Sequence, residues 1–271
     1  MRLSVKHTTH YSFSQPVARG LQRLRLKPKS THGQVVVDWQ TALEGVTREV
    51  EYDDQHNNHV MLVSLHPGIT ELSVACEGIV ETSDNNGVLG AHSGHMPLWA
   101  FLGQTPLTRP GPKMRSLVSG LDADRSNHVE VLHALSRDVL ASMAYEIGRT
   151  DAKTTAEEAA AAGHGVCQDH AHVFIGCTRL LGIPARYASG YLMMNDRIDQ
   201  EAGHAWAEAY VENLGWVGFD VSNGYSPDAR YIRVATGCDY RDAAPVTGIT
   251  WGDGDIDLAV SLAVEQQVVE Q

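Results

Sequence analysis

Cysteine is scarce in this chain of 271 residues: four in all, at positions 76, 167, 177 and 238, with no CxxC pair among them. That spacing excludes paired-cysteine zinc ribbons and redox motifs and predicts reduced thiols rather than a disulfide framework. Positive charge is also in deficit. Twenty-one Lys and Arg face 33 Asp and Glu, for a formal net charge of -12, an imbalance that opposes nucleic acid or anionic lipid as a main partner. No apolar run approaches the roughly 18 residues that a membrane span requires, so no membrane partner is expected. The opening segment MRLSVKHTTHYSFSQ alternates polar and apolar residues and holds no apolar stretch of the ~7–15 residues that a secretory signal uses. A cytoplasmic location is therefore expected. Internal repeats and a DxDxDG calcium loop are missing too, and no metal or other cofactor is expected.

What remains is an ordinary globular composition, 43% hydrophobic and 20% charged, enough for one large domain or two moderate ones. Residues 1–83 read as strands. Period-2 alternation marks 2–11 and 21–26, and further strand-like runs lie at 35–39, 59–65 and 70–80, separated by turn chemistry such as DDQHNN and HPG. An N-terminal antiparallel β sandwich or barrel is predicted. Residues 84–125, punctuated by Pro97, Pro106, Pro110 and Pro112, read as a connector. From 126 the period changes. Val129, Leu132, Leu135, Val139 and Met143 make one helical stripe. A second helix follows Thr154 or Thr155, either of which can cap it, with Glu157 and Glu158 in its first turn, and a third runs from Cys167 to about Leu181, where Gly182 and Pro184 stop it. Strands then dominate to the end, so 126–271 is expected to form an α+β core with a C-terminal β tail.

Cys167 opens a predicted helix just after the Gly163–Gly165 break, His204 starts a predicted strand, and Asp220 ends the next one. This is the order of a cysteine-nucleophile acyl-transfer site. A thiolate is the nucleophile in such chemistry, and a helix N-terminus together with an imidazole that takes up the proton favours it. The aspartate would accept from the far imidazole nitrogen, fixing its tautomer and stabilising the imidazolium. Backbone amides of the 165–168 turn would supply an oxyanion hole.

The segments GHGVCQDHAHVF, RLLGIPARYASGYL, GHAWAEAYV and LGWVGFDVSNG, with the later IRVATGCDYRDAAPVTG, resemble the bacterial transglutaminase-like superfamily, and the β-rich start resembles the small domain that precedes its core. The resemblance covers nearly the whole chain. It implies Cys167 as nucleophile, His204 as general base and acid, and Asp220 as orienting residue, on a papain-like α+β core whose cysteine-bearing helix packs on an antiparallel sheet. His170 departs from the aromatic residue many relatives carry there and adds a titratable group near the thiol. The resemblance leaves the substrate and the fate of the acyl group open.

Hydrolysis of a peptide or carboxamide bond is the first expectation, with a peptide or protein as substrate, because nothing marks an amine site. Transfer from a glutamine side chain to an amine is the alternative, and a catalytically silent peptide-binding protein the second. A zinc site from His164, Cys167, His170 and His172 is disfavoured, since helical spacing keeps the four from converging and leaves His204 and Asp220 without a task. Asp169 and His172 read as structural. Trp206 reads equally as channel wall or core, and Trp216 and Tyr145 as packing residues. Cys76, Cys177 and Cys238 read as buried or incidental thiols. The HNNH segment at 56–59 reads as a polar hairpin turn.

Overall fold

Alternating strands need a partner sheet for their apolar faces, and here both ends of the chain supply one. The computed structural model describes residues 1–252 and 254–267. The N-terminal half forms β1 (Arg2–Val17), β2 (Arg19–Leu24), β3 (Gln34–Glu44), β4 (Val46–Asp53), β5 (His59–Leu65), β6 (Ile69–Thr82) and the short β7 (Val88–Gly90). β1 pairs antiparallel with β6, and β6 with β3; β2 pairs with β5, and β5 with β4. Phe13, Leu24, Val46, Val63, Leu72 and Val74 from these two sheets meet in one core, the sandwich that period-2 alternation requires. β4 had no counterpart in the sequence reading, because seven of its eight residues are exposed and no apolar face marks it.

Helices follow: α1 (Pro112–Ser119), α2 (His128–Ser142) and, after the two-residue β8 (Ala144–Tyr145), α3 (Ala156–Ala162). Thr155 caps α3 in a reciprocal box with Glu158, and Gly163 ends it in the left-handed region at φ +72. β9 (His164–Gly165) then runs parallel to β8, and α4 (Cys167–Leu180) begins. The strands β10 (Ala185–Leu192), β11 (Asp199–Gln200), β12 (His204–Val211), β13 (Gly215–Phe219) and β14 (Tyr231–Gly237) come next, followed by α5 (Tyr240–Ala243), β15 (Val246–Trp251) and β16 (Ile256–Gln266). The catalytic half's sheet runs β14-β10-β12-β13-β7. α4 lies on it, with Val173, Phe174 and Cys177 in the same core as Ala207, Phe219 and Leu132.

Two features differ from the sequence reading. The C-terminal tail does not extend the catalytic sheet: β16 pairs with β1 over eleven positions and β15 pairs with β2, so both complete the N-terminal sheets. Each strand needs an edge, and β1 and β2 offer theirs. The stretch 84–125, read as a connector that packs partly onto one domain, contributes whole elements to the C-terminal half. β7 adds to the edge of β13, and α1 sends Met114 into the α4 core.

The two halves share apolar contacts. Leu3, Val5, Val80, Leu262 and Val264 of the N-terminal sheet pack with Tyr191 and Ile232 of the catalytic sheet. β10 is consequently buried along all eight residues, with α4 on one face and the N-terminal sheet on the other. A buried ion pair crosses the catalytic sheet: Arg186 Nε lies 2.6 Å from Glu208 Oε2, with side-chain exposures of 7% and 0%, and its guanidinium sits 4.0 Å over the Trp216 ring. Glu208→Ala strands that guanidinium without its counter-charge, and denaturant unfolding is expected to show a loss of about 3–5 kcal/mol.

Candidate active site

The chain turns sharply before α4 because Gly165 lets Asp169 close in. A Cβ at 165 would stand 2.6–2.9 Å from the Asp169 side chain. Asp169 Oδ2 accepts from the Val166 N–H at 2.8 Å and from Thr150 Oγ1 at 2.7 Å, which ties the turn down and starts the helix at Cys167. Asp169 is thus structural, as its position predicted. The thiol at the helix start is half-buried, where unpaired first-turn amides favour an anion.

His204 opens β12 opposite Gly190 of β10. Asp220 follows the end of β13 and is fully buried. His204 Nε2 donates to Asp220 Oδ2 at 2.5 Å, which leaves Nδ1 free of Asp220, and the imidazole lines the same cavity as the Cys167 thiol. Burial works against a charged imidazole. Here the Asp220 carboxylate and Cys167 together override it and push His204 up to about 10. Burial also opposes the Asp220 charge, yet hydrogen bonds from His204, Tyr231 and Asn223 hold that carboxyl below its ordinary range. Tyr231 Oη donates to Oδ2 at 2.6 Å and Asn223 Nδ2 at 2.8 Å, while Ser222 Oγ donates to Oδ1 at 2.8 Å. His204 and Asp220 are thus paired, and His204 shares a cavity wall with Cys167.

Several neighbours were not foreseen or were read differently. Tyr145 is no packing residue. It is 52% exposed, is held beside Gly165 by the β8–β9 ladder, stacks on His170, and lies against both the thiol and the backbone amide of Cys167. Burial first, then Cys167 and Asp220, push its phenol up to about 12, so it keeps its proton. Of the oxyanion amides expected at 165–168, the Val166 N–H is already committed to Asp169. Trp206 resolves as core: 2% exposed, it stacks behind the His204 ring at 6.4 Å. Tyr231 had no local signal, being eleven residues beyond Asp220; Ser222 and Asn223 lay inside the LGWVGFDVSNG motif.

The four-residue zinc reading finds no convergence. His170 uses both ring nitrogens on the carbonyls of Val166 and Met143, at 2.9 and 3.2 Å. His172 Nε2 accepts from the Tyr240 N–H, and burial lowers its imidazole to about 3. Among the described residues, His56, Cys238 and Asp242 bring one possible ligand atom each within 4.8 Å of one another, where His56 already pairs with Asp242 across the two halves.

A cavity of about 290 Å³ reaches Cys167 and His204, and its far walls are N-terminal: His7, Thr9, Tyr11 and Arg25. Among the described residues no helix is long and apolar enough to cross a membrane.

A cysteine-headed helix packed on an antiparallel sheet that carries the histidine and aspartate is the papain-type core of transglutaminase-like, thiol-dependent enzymes. Residues 3–81 match the bacterial transglutaminase-like N-terminal region and residues 115–221 the transglutaminase-like superfamily core. Both halves of the chain therefore match models of bacterial transglutaminase-like proteins. It is similar to an uncharacterized protein of Mycobacterium leprae, 28% identical over 97% of this chain and 98% of the relative. An uncharacterized protein of Mycobacterium tuberculosis is 29% identical over 96% of this chain and 92% of its own length. A solved structure of a candidate cysteine protease from Cytophaga hutchinsonii superposes with a TM-score of 0.77 at 20% identity, covering 100% of this chain and 92% of that one. That likeness is one of fold.

Proposed function

We propose that this protein is a thiol-dependent acyl-transfer enzyme that hydrolyses peptide or carboxamide bonds. The observation that carries the reading is His204, hydrogen-bonded to buried Asp220 and lining one cavity together with the Cys167 thiol. In this reading the thiol proton rests on His204, and Cys167 Sγ attacks the carbonyl carbon. The resulting oxyanion takes hydrogen bonds from the Cys167 N–H and the protonated Tyr145 hydroxyl. His204 gives its proton to the departing amine as the C–N bond breaks, leaving a thioester on Cys167. Water, relieved of a proton by His204, attacks the thioester, and carboxylate and thiol are released. Asp220 stays ionised throughout and keeps the imidazole oriented.

Transfer to an amine uses the same thioester, with a primary amine in place of water. Incubating the protein with a glutamine-containing peptide and a labelled primary amine separates the two. Carboxylate release is expected to outpace amine incorporation; the reverse ratio would replace the hydrolase with a transglutaminase. Absence of any thioester-derived product across peptide and carboxamide substrates would instead favour a silent peptide-binding protein.

A further inference from the structure

Arg25 follows the end of β2 and is 3% exposed. Its backbone N–H donates to Pro245 O at 2.7 Å, and its side chain makes one hydrogen bond, from Nε to Asp54 Oδ2 at 3.2 Å. Asp54 has little left to offer. Its Oδ1 accepts the N–H groups of His56 and Asn58, and its Oδ2 also accepts Asn58 Nδ2. A guanidinium carries five N–H donors in a planar fork. Here Nη1 is fully enclosed and has no partner among the described residues. Burying such a donor unpaired is unfavourable unless something arrives to accept from it.

Arg25 lines the same cavity as Cys167 and His204. Among the described residues that line this cavity none is Asp or Glu, although the chain as a whole carries a formal net charge of -12. A half-open cavity whose own lining holds no carboxylate, with an arginine on its wall that is paired to Asp54 through Nε and leaves Nη1 unpartnered among the described residues, suits an anion with planar, paired oxygens. A volume of about 290 Å³ leaves room for about one or two amino-acid residues between that anion and the thiol.

Resting on the reading of this cavity as the acyl-transfer site, we infer that Arg25 is the receptor for a carboxylate on the substrate, so that the enzyme acts on short acidic amides. The carboxylate is either the free C-terminus of a peptide or an acidic side chain, placed within about two residues of the bond that is cut. The N-terminal domain is then a specificity element of the active site. It contributes the charged group that the catalytic half lacks at this wall.

Protection of Cys167 from iodoacetamide tests this without turnover. Alkylation is followed by mass spectrometry at about pH 8.5, near the ordinary thiol pKa, in the presence of acetyl-Ala-Ala as the free acid, its carboxamide, or acetyl-Ala-Glu-carboxamide. Each rate is referred to the same protein without ligand. In the wild type the free acid, or the glutamate-bearing amide, is expected to protect at about tenfold lower concentration than the neutral carboxamide, or about 1.4 kcal/mol. Which of the two does so identifies the source of the carboxylate. Arg25→Gln removes that preference, and Arg25→Lys, which keeps the charge but loses the fork, keeps part of it.

Equal protection by all three ligands in the wild type overturns the inference, with no variant needed. A full preference persisting in Arg25→Gln overturns it as well. If Arg25→Gln does not fold, the wild-type comparison and Arg25→Lys still decide. Equal protection would leave the acyl-transfer reading standing, and a thiol that hydrolyses nothing would leave this protection measurement readable.

Discussion

Cys167→Ala is expected to lower amide hydrolysis by about 10⁴-fold or more, because it deletes the atom that forms the acyl bond and leaves only the binding surface. The same change is expected to be mild for the fold. Cys167 is half-buried and sits at the margin of the α4 core, and trimming one sulfur there falls in the range of about 1 kcal/mol, roughly 2–4 °C in Tm for a chain of this size. Parallel measurement of hydrolysis and thermal unfolding separates the two effects. Activity within tenfold of wild type, with the protein folded, would take the nucleophile's role away from Cys167.

The second large effect is expected at Asp220. Asp220→Asn keeps the shape of the side chain but removes the charge that holds the His204 proton, and a loss of about 10²–10⁴-fold in hydrolysis follows from a misheld imidazole. Without the carboxylate, burial pulls on His204 against Cys167 alone, so the imidazole gives up its proton at lower pH. Iodoacetamide reactivity at pH 6 then drops toward that of a simple thiol, where the wild type reacts faster.

Stability carries the same signature. The His204 pKa in the folded state, about 10, lies above its ordinary 6.5. Its stabilising contribution is therefore fully present below pH ~6.5 and is lost as pH rises through about 10. Thermal unfolding of the wild type should fall over that window more steeply than that of Asp220→Asn. Parallel curves would show that the carboxylate does not hold the imidazolium. Asp220 adds a term of the opposite sense. Its lowered pKa contributes stability above the ordinary carboxylate range and loses it as pH falls through the folded value.

Much of the site was legible because its parts announce themselves locally. Gly163 and Gly165 mark the turn, the apolar spacing of α4 marks a helix that begins at Cys167, and alternation from His204 to Val211 marks the strand that carries the imidazole. Tyr145 was not legible as a neighbour of the thiol. Only the two-residue parallel ladder between β8 and β9 brings it there, and a ladder that short has no periodicity to read. Tyr231 reaches Asp220 from another strand across the β13–β14 connection, a contact invisible to spacing. Arg25 looked like a polar residue near a strand end. Its burial, its pairing with Asp54 and its place on the cavity wall all come from the docking of one half of the chain on the other.

The amino-acid sequence by itself determined the kinds of element and their order, and it singled out the three candidate side chains, because period, capping and turn chemistry act over a few residues. The tertiary structure decided where the chain's last strands go, what surrounds the thiol, and what charge faces the substrate. β15 and β16 return to the N-terminal sheets because unpaired strand edges there accept them, and an edge is a property of the assembled sheet. For the same reason the N-terminal wall of the cavity belongs to residues more than a hundred positions away from Cys167: long-range packing, not local pattern, brings them together.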